Sequence, residues 1–81
     1  GPQVVGMIRL APVGQDDALV RRVRVDPEWR HTTVPESLID QVRAFCKRRG
    51  FTRIKFEPGS APSWFEVLAK RRGFEGLSAS H

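Results

Sequence analysis

The sequence predicts an α/β (α+β) fold in which a mixed sheet is flanked by two helices in the order β-β-α-β-α. Two observations support this prediction. Runs rich in apolar and β-branched residues, typical of strands, occupy residues 3–11, 18–25 and 51–56. Two other segments repeat apolar residues at helical spacing, and each ends in a basic cluster followed by glycine. A short final strand could follow the second helix.

The first two strands are expected to form an antiparallel hairpin, because residues 12–17 between them have the Pro, Gly and Asp composition of a turn. Strict alternation along the second strand would give it one apolar and one basic face. The apolar face would consist of Leu19, Val23 and Val25, and the basic face of Arg22 and Arg24.

The first helix is expected to begin at a capping-box pattern, Thr33 followed three residues later by Glu36. Pro35 is tolerated in the first turn, where its missing N–H would be unpaired in any case. One stripe at helical spacing is expected to be buried: Leu38, Ile39, Val42, Phe45 and Cys46. The basic last turn suits the negative end of the helix dipole, and Gly50 supplies the stop.

The third strand follows a helix, so it is expected to run parallel to the second strand through a β-α-β crossover. The second helix, residues 62–72, would be capped by Ser60, or by Ser63 paired with Glu66. Its inward side would consist of Trp64, Phe65 and Leu68, and the pattern does not decide whether Val67 also faces inward.

The chain has 81 residues, 40% of them apolar and 28% charged, which is the composition of one small globular domain. We expect that domain over residues 3–76, after a Gly-Pro pair at residues 1–2 that resembles a tag scar and before a flexible tail at residues 77–81. The single cysteine cannot form an internal disulfide, which favours a cytoplasmic location. No apolar run approaches the roughly 20 residues of a membrane span, so no membrane contact is expected.

The net charge of +5 favours an anionic partner, such as nucleic acid, a phosphorylated cofactor or an acidic protein. A solvated basic surface explains the charge equally well. The basic clusters at residues 47–49 and 70–72 both end helices. If those helices lie on opposite faces of the sheet, the clusters cannot form one phosphate-tracking stripe, and nucleic-acid binding is supported by charge alone.

The order of these segments and their residue motifs resemble those of the GNAT superfamily of acyl-CoA-dependent N-acyltransferases. The matching stretches are Val-Arg-Val-Asp-Pro-Glu-Trp-Arg at 23–30, Lys-Arg-Arg-Gly-Phe at 47–51 and Arg-Gly-Phe-Glu at 72–75. The resemblance spans residues 3–76 and corresponds to the central and later part of a full GNAT domain. The family's opening strand, two acceptor-side helices and last two strands have no counterpart, so the resemblance implies a truncated GNAT core.

The family binds acetyl-CoA, and its pyrophosphate loop, Q/R-x-x-G-x-G/A, corresponds to residues 30–35 of this chain. The resemblance implies these cofactor-binding residues: Val23, Val25, Arg30, His31, Thr32, Thr33 and Val34. Thr33 and Pro35 replace the two small residues that let the backbone lie against the pyrophosphate. Pro35 also has no N–H to donate, so weak cofactor binding is expected.

The positions that serve catalysis in the family differ as well. Pro62 stands where many members carry an Asn for the cofactor arm, and Ala69 stands where many carry a Tyr that protonates the leaving thiolate. No catalytic residue is therefore assigned. Cys46 is expected to be a buried thiol, and His31 an exposed loop residue that could otherwise act as a general base. No metal site is expected from one cysteine and two histidines.

Three functions remain open at this point. The first is a GNAT-like domain that binds acetyl-CoA or CoA weakly at residues 25–36 and lacks efficient catalysis. The second is a non-catalytic pseudo-GNAT domain that serves interaction, regulation or oligomerisation in a larger protein. The third is a basic nucleic-acid-binding module. Because a small sheet with open edges is hard to stabilise alone, we expect a homodimer through edge strands or docking to the rest of a larger protein.

Overall fold

The computed structural model of the chain describes residues 6–74. Its elements are β1 (Gly6–Val13), β2 (Asp17–Val25), a 3-10 turn (Pro27–Trp29), α1 (Val34–Arg48), β3 (Arg53–Phe56) and α2 (Ser63–Arg71). This order confirms the predicted β-β-α-β-α architecture. The predicted start of the first strand at residues 3–5 and a final strand after residue 74 lie outside the described residues.

The three strands form one mixed sheet in the order β1-β2-β3. A tight turn at residues 14–16 joins β1 to β2, which pair antiparallel as predicted. β3 runs parallel to β2, with Asp17 opposite Arg53 and Val20 opposite Phe56. The predicted β-α-β crossover is therefore confirmed, with a third strand two residues shorter at its start than the sequence pattern suggested.

A β-bulge interrupts the pairing of β1 with β2. Arg9 pairs with Arg22, but the next residue of β1, Leu10, pairs with Val20. Arg21 is therefore an extra residue on β2. An extra residue shifts the alternation of side chains by one position and strengthens the local twist.

The bulge changes which side chains of β2 face the core. Ala18 and Val20 are buried before it, and Val23 is buried after it. Leu19 lies on the opposite face and is only half-buried. The predicted common face of Leu19, Val23 and Val25 was therefore wrong, because strict alternation assumes that no residue is inserted between the two ends of the strand.

Both helices pack on the same face of the sheet. The Arg72 guanidinium at the end of α2 donates two hydrogen bonds to the Asp40 carboxylate of α1, at 2.9 and 2.6 Å. The helices therefore do not meet the condition under which the two basic clusters would be kept on opposite faces, because the apolar sides of both helices share a single core with one side of the sheet. The core consists of Ala18, Val20, Val23, Ile39, Cys46, Ile54, Phe65, Ala69 and Phe74.

The buried stripe of α1 is narrower than predicted. The buried or half-buried members are Leu38, Ile39, Val42 and Cys46, which confirms that part of the prediction. Phe45 is 37% exposed, and its ring lies 5.0 Å from the guanidinium carbon of Arg49. Its predicted burial was wrong, because it lies at the margin of the stripe, where solvent reaches one side of the ring.

The two helices end in the same way. Gly50 and Gly73 have φ values of 84° and 98°, which other residues rarely adopt. The residue after each glycine donates its N–H to a carbonyl of the last turn, Phe51 to Cys46 at 3.0 Å and Phe74 to Ala69 at 3.1 Å. This arrangement is a Schellman motif, so the predicted glycine stops are confirmed.

The helix starts differ from the prediction. Thr33 precedes α1 but makes no capping hydrogen bond with its side chain, since its backbone is helical (φ −79°, ψ −3°) rather than extended. Pro62 occupies the corresponding position of α2, and Ser63 is already helical. The capping box at Thr33 and the caps proposed for Ser60 and Ser63 were therefore wrong. Within residues 6–74, neither helix is long and apolar enough to cross a membrane.

Candidate functional site

The segment from 26 to 33, here called the β2–α1 turn, is held in shape by its own hydrogen bonds. The Trp29 N–H donates to the Asp26 carbonyl at 2.9 Å, and the Thr32 N–H donates to the Trp29 carbonyl at 3.2 Å. The Thr32 hydroxyl donates to the same carbonyl at 2.6 Å and accepts from the Val34 N–H at 3.2 Å. Thr32, rather than Thr33, therefore satisfies the first N–H of α1.

The start of α1 offers an anion fewer N–H groups than most helix starts. The Val34 N–H is already used by Thr32, and Pro35 has none. Glu36 places a carboxylate in the first turn. That charge suits the helix dipole and repels an anionic ligand at the same position. The helix start by itself is thus a weak anion site.

A cleft of about 330 Å³ opens where the β2–α1 turn faces α2. One wall consists of the turn and the first turn of α1: Arg30, His31, Thr32, Pro35 and Glu36. The other wall is one side of α2: Trp64, Val67, Leu68 and Arg71. Trp64, Leu68 and Arg71 are spaced at i, i+4 and i+7, so they follow the same side of the helix.

An arginine stacked on an indole ring connects the two walls of the cleft. The guanidinium carbon of Arg30 lies 4.9 Å from the centre of the Trp64 ring, within the range of a cation–π contact. Stacking uses the face of the guanidinium and leaves its N–H groups at the edge available as donors. Arg71 adds a second exposed cation, and Glu36 is the only acidic side chain of the lining. The cleft therefore combines cationic donors with the half-buried apolar surface of Leu68 and Trp64.

The structure separates the predicted cofactor-binding residues into three groups. Arg30, His31 and Thr32 line the cleft. Thr33 and Val34 stand beside it at the helix start, outside its lining, with Thr33 exposed and Val34 half-buried. Val23 and Val25 lie on β2 beyond the bulge and are described next.

Val23 lies at the point where β2 extends past β3. β3 ends at Phe56, and the chain turns over residues 57–60. The Val23 N–H donates to the Ser60 carbonyl at 2.7 Å, so the turn continues the pairing that β3 no longer provides. Ser60 is 7% exposed, and its hydroxyl has no hydrogen-bond partner among the described residues. Val25 directs its N–H to the same edge of β2, since N–H direction alternates along a strand.

The α2 wall of the cleft was missed by sequence reasoning. Trp64 and Leu68 pack against the core as predicted, but each also lines the cleft. Val67, whose inward or outward direction the sequence did not decide, is 51% exposed. The signal that could have revealed this wall is Arg71, which stands seven residues after Trp64 and so continues its side of the helix.

The other candidate groups do not contribute to the cleft. Cys46 is buried as predicted, and burial raises the pKa of its thiol, which makes it a poor nucleophile. Ala69, at the position of the family's tyrosine, is fully buried in the core, and Pro62 is exposed at the start of α2. Within residues 6–74, no group of three His, Cys, Asp or Glu side chains is placed to hold a metal.

Comparison with known proteins gives one informative result. The model of the acetyltransferase (GNAT) family matches residues 1–74. No curated protein and no solved structure matches the chain. The matched range includes every strand, the β2–α1 turn and α2, so it covers all residues that line the cleft.

Proposed function

The chain belongs to the acetyltransferase (GNAT) family, and from this premise we propose that it binds acetyl-CoA or CoA weakly in the cleft and lacks efficient catalysis. The observation that supports the proposal most directly is the cleft itself. It opposes Arg30 and His31, in the loop that the family uses for the pyrophosphate, to Arg71 and Trp64 of α2.

The cleft fits a phosphorylated cofactor through its cations. Arginine is well suited to phosphate because its N–H groups match the spacing of two phosphate oxygens. Arg30 and Arg71 lie on opposite walls and can approach one diphosphate from two sides. The apolar surface of Trp64 and Leu68 lies beside them, which suits an uncharged arm attached to the phosphates.

Three features of the same cleft account for weak binding. Pro35 removes a backbone donor where the family uses small residues, and the Thr32 hydroxyl is already engaged with Trp29 and Val34. The Glu36 carboxylate repels the ligand's negative charge. The arginines therefore supply most of the attraction, with little help from the helix start.

Acetyl-CoA, when bound, supplies an acetyl group activated as a thioester. The chain's own side chains would hold and orient this cofactor, but we assign no group to proton transfer. Ala69 has no proton to give a leaving thiolate, and it is buried. His31 is exposed in the cleft wall without a carboxylate hydrogen-bonded to it among the described residues. Slow or absent turnover is the expected result.

Calorimetric titration of CoA into three forms of the protein tests the proposal. The wild type should bind saturably, and a double variant Arg30→Ala/Arg71→Ala should lose about tenfold or more in affinity, since a hydrogen bond to a charged group is worth about 1.5–3 kcal/mol. The matched control Lys47→Ala/Arg48→Ala removes two exposed cations from the end of α1, outside the cleft. It should bind like the wild type.

No binding at millimolar CoA would overturn this proposal. An equal loss in the control would show that CoA responds to overall charge and not to the cleft. Circular dichroism of each variant verifies that the fold is intact, which matters because Arg30→Ala also removes the contact with Trp64.

A second function is favoured by one specific contact. Val23, which the resemblance assigns to cofactor binding, already donates its N–H to the Ser60 carbonyl at 2.7 Å. A cofactor arm would have to displace that carbonyl to reach β2. This supports a non-catalytic GNAT domain that serves interaction or regulation within a larger protein. Amide hydrogen exchange at Val23 distinguishes the two: acetyl-CoA should change it only if the cofactor arm reaches the strand.

A further inference from the structure

The face of the sheet opposite the helices carries no helix within residues 6–74, and it is basic. Side chains at alternate positions of β1 and β2 point to this face. In register, Arg9 lies opposite Arg22, and Met7 lies opposite Arg24. We call this surface the basic face; its members on the two strands are Met7, Arg9, Ala11, Leu19, Arg22 and Arg24, with Val13 and Asp17 at the hairpin end.

The arginines of the basic face have no counter-charge in the part of the chain that the structure describes. Arg9, Arg22 and Arg24 are exposed and form no ion pair with any residue between 6 and 74. Arg9 and Arg22 are directly opposite each other, an arrangement of like charges that destabilises a sheet. An anionic partner would remove that repulsion.

The neighbouring end of the same face shows the contrasting case. The Asp17 carboxylate accepts two hydrogen bonds from Arg53, at 3.0 and 3.1 Å, and lies 3.4 Å from the Lys55 ammonium. One carboxylate therefore serves two cations of β3, and between residues 6 and 74 no carboxylate pairs with Arg9, Arg22 or Arg24. The whole face carries excess positive charge.

Apolar side chains lie between the charges. Met7, Ala11 and Leu19 are half-buried in the sheet surface, and none of them belongs to the core cluster or to the side chains packed against it. A partner that only supplied negative charge would leave this apolar surface in water. A partner with an apolar stripe flanked by carboxylates would cover both.

We propose that the basic face docks one acidic amphipathic helix of a partner protein. Strands lie about 4.8 Å apart, so the surface of three strands is about 10 Å wide, which matches the diameter of a single helix. The apolar stripe of that helix would contact Leu19 and Met7. Its Asp or Glu side chains would pair with Arg9, Arg22 and Arg24, each of which can bind a carboxylate through two N–H groups.

Two other occupants fit the same surface less well. Single-stranded nucleic acid binds sheets largely by stacking bases on aromatic side chains, and the basic face has none among its described residues. A second copy of this chain would bring the same arginines against one another. Charge and side-chain type therefore favour the acidic helix.

The experiment uses two synthetic peptides of about 15 residues, or roughly 22 Å of helix. Both carry leucines at helical spacing; one has glutamates beside them, and the other has lysines at those positions. Each peptide, and a thymidine oligonucleotide, is titrated into isotope-labelled protein. The acidic peptide should bind saturably with amide shifts centred on β1 and β2, and the lysine peptide should not bind.

Paired variants test whether the peptide contacts the arginines of the basic face. Arg9→Ser/Arg22→Ser should weaken the acidic peptide about tenfold, since each exposed charge pair is worth up to a factor of about five. The matched control Lys47→Ser/Arg48→Ser removes the same charge from α1 and should leave the affinity unchanged. If the double variant fails to fold, Arg24→Ser alone provides the same comparison with a smaller loss.

Several results would overturn the proposal. They are no saturation by the acidic peptide, equal binding of the lysine peptide, an equal loss in the α1 control, or shifts centred on the cleft. Tighter binding of the oligonucleotide through the same arginines would assign the face to nucleic acid instead. None of these results depends on whether CoA binds.

Discussion

The two faces of the sheet carry opposite kinds of chemistry. On the helix side, Val20, Ile54 and Phe65 have no exposed surface, and the cleft lies at the margin of this packed core. On the other side, half-buried Leu19 lies among exposed arginines that lack partners within residues 6–74. The difference indicates that the helix side supplies the core of the domain, while the other side exposes charged side chains to solvent.

The largest effect should come from a core residue of the helix side. Phe65 is fully buried, with its ring 6.4 Å from that of Phe56 and 5.7 Å from that of Trp64. Phe65→Ala should cost about 3–5 kcal/mol of unfolding free energy. That is a large part of what so small a domain possesses, so chemical denaturation should show a lost or strongly shifted transition.

Leu19→Ala is the matched change on the basic face. Because Leu19 is only half-buried there, the cost should stay near 1 kcal/mol or below. Similar losses for the two variants would contradict the contrast between the faces, since both would then contribute equally to the core.

The next effect concerns the glycines that end the helices. Gly50 and Gly73 both have positive φ, so alanine at either position should cost roughly 1–2 kcal/mol. A Cβ at Gly73 would lie 3.0 Å from the Arg43 Nε of α1, whereas at Gly50 it would meet open space. Gly73→Ala should therefore lower the thermal midpoint further than Gly50→Ala. The reverse order would mean that α1 and α2 are not packed together as described.

A smaller effect, of the opposite sign, is expected on the basic face. Arg22→Thr removes one of two like charges that lie opposite each other and introduces a residue that favours strands. The thermal midpoint should rise slightly, and more at low salt than at high salt, because salt already screens the repulsion in the wild type. A clear loss of stability would show that Arg22 supports the sheet and is not held for a partner.

The smallest effect is a pH-dependent one between the helices. Hydrogen bonding from Arg72 holds the pKa of the Asp40 carboxyl below its ordinary value. Because the folded-state pKa is depressed, the pair stabilises the fold above the ordinary Asp pKa of about 3.9, and this contribution disappears as pH falls through the folded-state pKa. Asp40→Asn should therefore lower the thermal midpoint at neutral pH and leave it nearly unchanged in acid. A constant difference at every pH would assign the effect to something other than the charge.

Signals confined to a few neighbouring residues made much of the fold predictable. Gly50 and Gly73 marked the helix ends because glycine adopts the positive φ of a helix stop at little cost, whereas other residues rarely do. The crossover followed from the order strand, helix, strand. The bulge at Arg21 was not predictable, because no glycine or proline marks it and the side-chain pattern of β2 alone does not show how β2 pairs with β1. Likewise, either of two adjacent threonines could cap α1. The helical backbone of Thr33 prevents its side chain from capping, and Thr32 accepts the hydrogen bond from the Val34 N–H instead.

The candidate site was predictable on one wall only. Arg30, His31 and Thr32 followed from the family's loop, which is a continuous stretch of sequence. The α2 wall depends on which face of the sheet that helix covers, and this is decided by packing between distant segments. Trp64 and Leu68 have the spacing of core residues, and only Arg71, seven residues after Trp64, indicates from the sequence that this side of α2 also lines a cleft.

The most direct test of the account is a titration of CoA into isotope-labelled protein, followed by amide shifts across both faces. CoA should cause saturable amide shifts in the β2–α1 turn and along α2 from Trp64 to Arg71, and the amides of Arg9, Arg22 and Arg24 should not shift. It is contradicted if millimolar CoA causes no shifts, or if the shifts centre on the arginines of the basic face.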